Sequence, residues 1–286
     1  MFDFPELVVP FGDWINTAVD WLTLNWAPFF DVIATVVREP LVKIERFLWW
    51  LPWWAVIVIS AGIAWRFAGR KVALFAAFGL LFIGAMGLWD DTMTTLAIIV
   101  TAVAVCVIIG IPVGILAAKN DRFEATLRPV LDIMQSMPSF VYLIPAVFFF
   151  GLGKVPAVVA TFIYAAPPCI RLTNLGIRQV SAEVVEAGKA FGSTARQLLF
   201  KIELPLAMPS IMAGVNQTIM MALAMVVVAS WIGASGLGLE VLRGIQRRNV
   251  GHGFIAGFAI VISAIIIDRI TQALGKRRET SLRRSE

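Results

Sequence analysis

The residues best suited to chemistry in this chain lie in one polar stretch, Arg178 to Ile211, between apolar runs. Between Arg178 and Lys201 its charged side chains are Arg178, Glu183, Glu186, Lys189, Arg196 and Lys201. The sequence has no GxxxxGK[ST] phosphate loop, no paired carboxylates and no nucleophile placed beside a base. Its single histidine, His252, has no second ligand nearby, so no metal site is expected. We therefore predict a contact surface, and no enzyme.

Capping and spacing in this stretch predict a helix–turn–helix. Ser181 is a plausible N-cap, Gly192 a helix stop and Ser193 the cap of a second helix. The apolar positions are Val184, Ala187, Gly188 and Phe191 in the first helix, then Leu198, Leu199 and Ile202. The pattern indicates a unit on a membrane surface with Phe191 facing outward. Pattern alone leaves open whether it docks a partner or rests on lipid headgroups.

The composition is that of a membrane protein. Of the 286 residues 59% are hydrophobic and only 15% are charged, with a mean hydropathy of +0.84. Basic residues cluster at the ends of the apolar runs, so the net charge of +5 calls for no nucleic-acid partner. Cys106 and Cys169 lie inside apolar runs and are expected to be buried thiols. The start Met1-Phe2-Asp3 lacks a basic region, so no cleaved signal peptide is expected.

The chain divides into four predicted regions. Residues 1–46 carry seven acidic and three basic residues among aromatic ones, which predicts an amphipathic segment in the external interface. Residues 47–91 hold two peripheral spans, 92–272 the core with its polar loop at 178–205, and 273–286 a basic cytoplasmic tail. The seven predicted spans are Phe47–Trp65, Val72–Trp89, Thr92–Ala118, Pro129–Gly151, Val155–Ile170, Ala207–Ile232 and Gly253–Ile267.

The distribution of Lys and Arg predicts an external N-terminus and a cytoplasmic C-terminus. Three basic loops and the tail fall on one side of the membrane under this count. The loop Gly233–Gly251 does not fit, because Arg243, Arg247 and Arg248 would then be external. Either these arginines contact an acidic partner, which we favour, or the span count is off by one.

Polar and aromatic residues inside the apolar runs are candidates for lining a solute pathway. They are Gln135, Phe140, Tyr142, Asn216, Gln217 and Trp231. Polar groups in a membrane line pathways or join helices, and aromatic faces attract quaternary ammonium ions. For each residue, hydrogen bonding between helices or simple packing is an alternative of at least equal weight.

The polar stretch resembles the EAA motif of permease subunits of ABC importers. The matching residues are Glu186, Ala187, Gly188, Gly192, Ile202, Leu204 and Pro205, with Gly188 in place of the second alanine, a change expected to loosen the helix slightly. The segments 132–180 and 212–238 resemble permeases of glycine betaine, proline betaine and choline importers in particular. The resemblance covers roughly residues 97–272.

This resemblance implies an all-α, multi-pass protein of the bacterial inner membrane, with about seven transmembrane helices and the type I importer permease fold. It implies a homodimer of permease chains, two cytoplasmic ATPase subunits that bind ATP and Mg, an external binding protein, and surrounding lipid. No cofactor is expected on this chain. The solute would be a quaternary ammonium or related methylated osmolyte, imported by alternating access. An ATP-independent secondary transporter or channel, or a scaffold without a pathway, remains the alternative.

Overall fold

The computed structural model describes residues 10–283, and within that range the chain folds into helices joined by short turns. The bounds are α1 Phe11–Asn25, α2 Ala27–Trp50, α3 Trp53–Ala68, α4 Arg70–Ala85, α5 Trp89–Lys119, α6 Asp121–Ser136, α7 Leu143–Phe150, α8 Lys154–Arg178, α9 Ala182–Ala190, α10 Ala195–Leu198, α11 Leu204–Val228, α12 Leu237–Gln246 and α13 Val250–Arg283. A 3-10 turn at Ser139–Tyr142 precedes α7, a π turn at Leu199–Glu203 precedes α11, and a 3-10 turn at Ala229–Ile232 follows α11.

Four described helical stretches are long and apolar enough to cross a membrane: Trp89–Lys119, Lys154–Arg178, Ala195–Ile232 and Val250–Ala273. The third runs from α10 through α11 to the 3-10 turn after it, and the fourth is the first part of α13. Two bent pairs raise the number to six if each pair forms one span. The predicted second span corresponds to α4, whose 16 residues make about 24 Å, less than a typical bilayer core. The all-α, multi-pass fold class is confirmed, while two of the seven predicted spans differ in shape.

Those two spans were predicted as straight runs and are broken in the structure. Phe47–Trp65 is divided between α2 and α3, which meet at 103°, so α2 also continues past the predicted boundary at residue 46. Pro129–Gly151 is divided at Met137, with 109° between its halves. In both breaks the residue before a proline is extended, with ψ of 125° at Leu51 and 136° at Met137. Steric conflict with the proline ring disfavours the helical conformation at that position.

Three spanning helices, α5, α8 and α11, form the centre of the protein and approach one another closely at glycines. A Cβ added at Gly114 of α5 would lie 2.6 Å from Thr173 Cβ and 2.7 Å from the Ile170 carbonyl oxygen of α8. A Cβ at Gly214 of α11 would lie 3.1 Å from the Pro168 carbonyl oxygen. Small residues permit such backbone approach in a membrane, where packing rather than hydrophobicity holds helices together.

Helix α2 lies across one end of this bundle, which we call the α2 end. Its Phe30 ring stacks on Phe149 at 4.4 Å, just before α7 ends. About four turns after Phe30, Glu45 accepts a hydrogen bond from Thr94 Oγ1 (2.9 Å) and pairs with Lys154 at the start of α8 (2.5 Å). These contacts hold α2 roughly across the helix ends, the position expected of an interfacial segment.

The connections place the two ends of the bundle unambiguously. At the α2 end the Gly153 N–H donates to the Ile232 carbonyl (2.9 Å), and the Leu237 N–H donates to Thr95 Oγ1 (2.8 Å). The opposite end, which we call the Gly192 end, holds the close of α5 and α8 and the start of α11. The loop Gly233–Gly251 and the polar stretch therefore lie at opposite ends.

Candidate coupling site at the Gly192 end

The polar stretch folds as a helix–turn–helix, as its spacing predicts. Helix α9 ends at Ala190, and Gly192 turns the chain with a φ of +78°, a left-handed conformation that glycine adopts without strain. The Gly192 N–H donates to the Lys189 carbonyl (2.9 Å), and the Ser193 N–H donates to the Gly188 carbonyl (3.1 Å). These bonds satisfy the last carbonyls of α9 and fix the direction of the following turn.

The caps differ in part from those predicted. Ser181 stands at the N-cap of α9, but its side chain makes no capping hydrogen bond. The second helix is capped by Thr194 and not by Ser193. Thr194 Oγ1 accepts from the Gln197 N–H (3.3 Å), while Gln197 Oε1 accepts from the Thr194 N–H (2.9 Å). The sequence Thr194-Ala195-Arg196-Gln197 carries this reciprocal capping box, so the signal was present.

Gly188 is buried between the two helices, which gives it a packing role that the sequence did not reveal. A Cβ placed on it would lie 2.6 Å from Ile202 Cδ1 and 3.0 Å from Leu198 Cδ1. The expectation that glycine merely loosens α9 is therefore incomplete. Because Gly188 has no side chain, Ile202 packs directly against it, and this contact joins α9 to the turn that leads into α11.

Ion pairs fasten the helix–turn–helix to the central bundle. Glu203, only 5% exposed, pairs with Lys119 at the end of α5. Arg178, at the end of α8, donates to the Ala117 carbonyl (2.9 Å) and pairs with Asp121 (2.7 Å). Sequence reasoning missed the Lys119–Glu203 pair, because 84 positions separate the two residues and no local pattern connects them. These contacts join the π turn before α11 to the end of α5, and the end of α8 to α5 and α6.

The outward side of the loop is left uncovered by the chain itself. Phe191 is 91% exposed, the largest exposure among the exposed large apolar side chains of the described residues. Glu186, Ala187 and Gly192 are also exposed, whereas Ile202, Leu204 and Pro205 are partly buried. A strongly exposed aromatic ring on a polar loop is suited to insertion into a groove of a protein partner.

The structure separates the six candidate pathway residues into two groups. Phe140 and Trp231 lie in contact, with ring centroids 6.2 Å apart and an interplanar angle of 71°. Gln135 and Gln217 are exposed on the surface of the single chain. These four have free surface that a solute could touch.

The remaining two candidates are engaged within the chain. Tyr142 is 4% exposed and donates its hydroxyl proton to the Met134 carbonyl. Asn216 donates to Asp268 Oδ1 (3.3 Å) and accepts from Thr271 Oγ1 (2.7 Å), which joins α11 to α13. Their contacts are those of structural hydrogen bonding, the alternative that the sequence left open.

The basic loop at the α2 end has an acidic partner inside the chain. Arg243 pairs with Glu240, a side chain of α12 that is buried, and His252 Nε2 lies 2.7 Å from Glu240 Oε2. Arg247 and Arg248 are exposed. Among residues 10–283, no group of three or more His, Cys, Asp or Glu side chains is arranged to hold a metal ion.

The bundle and its loop together define a polytopic permease of the type I importer fold. One of the MetNI methionine ABC transporter chains, solved in an inward-facing conformation, superposes with a TM-score of 0.56 at 23% identity, covering 69% of this chain and 95% of that one. The chain belongs to the family described as binding-protein-dependent transport system inner membrane component, which matches residues 110–280.

Relatives of known role agree with this assignment. The glycine betaine/proline betaine transport system permease protein ProW of Escherichia coli (strain K12) is 46% identical over 96% of this chain and 77% of its own length. The glycine betaine/carnitine transport permease protein GbuB of Listeria monocytogenes serotype 1/2a (strain 10403S) is 47% identical over 95% of this chain and 98% of its own. The chain is accordingly the membrane permease subunit of a transport system.

Proposed function

We propose that this permease imports glycine betaine or a closely related methylated osmolyte, driven by ATP that a separate subunit hydrolyses. ProW and GbuB, which are 46% and 47% identical over nearly the whole chain, carry glycine betaine in their names. Proline betaine, carnitine and choline share the quaternary ammonium group and are the next candidates. ATP and Mg would be held by the partner ATPase and not by this chain.

The observation that carries the coupling proposal is the exposed Phe191 on a loop fastened to the bundle. The α9–α10 unit with Glu186, Ala187 and Gly192 would sit in a groove of the ATPase, and Phe191 would be its anchor. Because Glu203 pairs with Lys119 and Arg178 contacts Ala117, a displacement of the loop is passed directly to α5, α8 and α11. Closure of two ATPase subunits would thereby switch the pathway from inward to outward access.

The complete assembly would contain two copies of this chain, two ATPase subunits and an external binding protein that delivers the solute. The chain would lie in the bacterial inner membrane with the Gly192 end in the cytoplasm. In this orientation the N-terminal helices rest on the external face and the C-terminus is cytoplasmic. The basic residues Lys119, Arg122 and Arg128 then lie on the cytoplasmic side, as the positive-inside rule requires.

The experiment is uptake of labelled glycine betaine and choline by proteoliposomes that hold this chain with its ATPase and binding protein. ATP is enclosed on the side of the membrane where the ATPase subunits lie, and it is omitted in the control. Uptake that needs both ATP and the binding protein is expected, with glycine betaine preferred over choline. Flux of the solute that does not depend on ATP would refute the importer in favour of a channel or secondary transporter. ATP hydrolysis without uptake of either compound would reject the solute class only.

A matched pair of variants tests the coupling face. Phe191→Ala is expected to reduce ATPase co-purification and uptake by at least tenfold, since buried aromatic anchors dominate protein interfaces. Phe254→Ala is the control, because Phe254 is also strongly exposed (71%) but lies near the start of α13, at the α2 end. Equal behaviour of the two variants would contradict the proposed contact.

A further inference from the structure

Two aromatic rings from distant parts of the chain meet at the α2 end of the bundle. Phe140 belongs to the 3-10 turn at the break between α6 and α7, and Trp231 to the 3-10 turn that follows α11. Their centroids are 6.2 Å apart in an edge-to-face arrangement. Phe140 is 53% exposed and Trp231 59% exposed, so each ring keeps much of its surface free.

Trp231 continues an unusual exposed stripe on α11. The exposed residues of α11 are Leu206, Ala213, Gln217, Met220 and Ala224, spaced by three, four or seven positions and hence on one face, and Trp231 follows in the 3-10 turn after the helix. The exposed face of α13 differs, since it is formed by the bulky apolar residues Phe254, Phe258, Val261 and Ile265. Acyl chains suit the α13 face. The α11 stripe mixes Leu206, Met220 and Trp231 with two alanines and the amide of Gln217, and its small and polar positions suit a face that meets another helix or water.

We propose that the α11 stripe lines the solute pathway and that Phe140 and Trp231 form a cation–π subsite for a trimethylammonium group at its α2 end. This inference deepens the proposed function and rests on it. The free π faces attract a quaternary cation without a fixed counter-charge. The expected gain is about 2- to 30-fold in affinity, which is weak enough for a transported solute to leave again.

Substitutions in proteoliposomes test the subsite, with wild-type uptake of glycine betaine as the first measurement. If the wild type transports none of it, the proposed substrate is wrong and this subsite is rejected with it. If the wild type transports, Trp231→Leu and Phe140→Leu are expected to lower uptake about 2- to 30-fold, while Trp231→Phe retains most of it. Trp50→Leu is the control, because Trp50 is 78% exposed on α2 at the same end.

Each other result overturns the subsite. Uptake by both leucine variants at the wild-type level would show that the rings do not touch the solute. Equal losses in Trp231→Leu and Trp50→Leu would show that Trp231 is one of the aromatic residues that anchor a protein at the membrane interface. Equal losses in Trp231→Leu and Trp231→Phe would show that side-chain size matters and an aromatic face does not.

A second measurement, independent of transport, tests whether the α11 stripe faces water. Cysteines are introduced singly at Gln217, Ala224 and Val261 of the assembled complex and exposed to a charged maleimide. The natural cysteines, Cys106 and Cys169, are buried and provide a low background. Labelling at 217 and 224 but not at 261 is expected. Labelling at neither of the two α11 positions, in both ATP-free and ATP-bound complexes, would refute the assignment of this face to the pathway.

Discussion

Gly188 and Ile202 form a contact whose energy can be measured by a double-mutant cycle. Gly188→Ala raises the helix propensity of α9 by about 1 kcal/mol. Its new Cβ would stand 2.6 Å from Ile202 Cδ1, the movable end of a side chain, and turning that group off its rotamer costs about 0.5–1.5 kcal/mol. Ile202→Val removes Cδ1, so in that background this contact disappears; Leu198 Cδ1, at 3.0 Å, needs only a small shift, and most of the helix gain remains. We therefore expect a coupling energy of about 0.5–1.5 kcal/mol between the two sites.

The Ser193 amide provides a local reporter for this cycle. Its N–H donates to the Gly188 carbonyl (3.1 Å), so its hydrogen-exchange rate measures how often the helix–turn–helix opens. Gly188→Ala alone is expected to change the exchange rate by no more than about twofold, because the helix gain and the cost of moving Ile202 nearly cancel. In the Ile202→Val background the same change is expected to slow exchange about fivefold, the equivalent of 1 kcal/mol. An identical effect of the alanine in both backgrounds would refute the contact.

Further variants test the loop and the bundle. Gly192→Val forces a branched residue into a φ of +78°, at a cost of about 1–2 kcal/mol, although nothing lies within 4 Å of the added Cβ. This variant should insert into the membrane normally but import less solute per ATP hydrolysed. Gly192→Asn, which tolerates this φ better, should keep the wild-type ratio of solute to ATP. Lys119→Glu leaves the buried Glu203 without its partner. Because Lys119 itself is 42% exposed, we expect a loss of about 1–3 kcal/mol, seen as a lower midpoint in a detergent melting assay, and adding Glu203→Lys should restore much of it. Gly114→Val should abolish folding of the bundle, because its Cβ would lie 2.7 Å from a carbonyl oxygen of α8. The measurement is the yield of monodisperse protein after extraction, which should be lost. Gly62→Ala, whose Cβ would have nothing within 4 Å, is the control and should be tolerated.

The helix–turn–helix could be predicted from the sequence because several independent local signals coincide there. Charge density, a glycine stop and helical spacing all fall between residues 178 and 205. The same reasoning chose Ser193 over Thr194 as the cap, although only Thr194 has glutamine three positions later. The packing role of Gly188 could not be predicted from the sequence, because it depends on Ile202, which a turn of the chain brings back against α9.

The broken spans show where hydropathy stops being informative. Pro52 and Pro138 end helices, whereas Pro112 and Pro168 lie inside α5 and α8. A proline within an apolar run therefore permits a break without specifying one, because neighbouring helices can accommodate the carbonyl that it leaves free. The direction of α2 depends on contacts with Phe149 and Lys154, which lie more than 100 positions away along the chain. Composition predicts its amphipathic character, and only tertiary contacts determine where it lies.

The glycine contacts among α5, α8 and α11 also bear on how such a permease can move. Backbones packed with no room for a single methyl group cannot slide or rotate past one another without separating. The three helices must then travel as one body, and the bending has to occur at its margins. Gly151, Gly153 and Gly233 are placed there with φ of +75°, +118° and +80°, in the turns that surround Trp231. Any hinge between this body and its neighbours is therefore expected at such turns, where glycine lacks a Cβ, and not within the three helices.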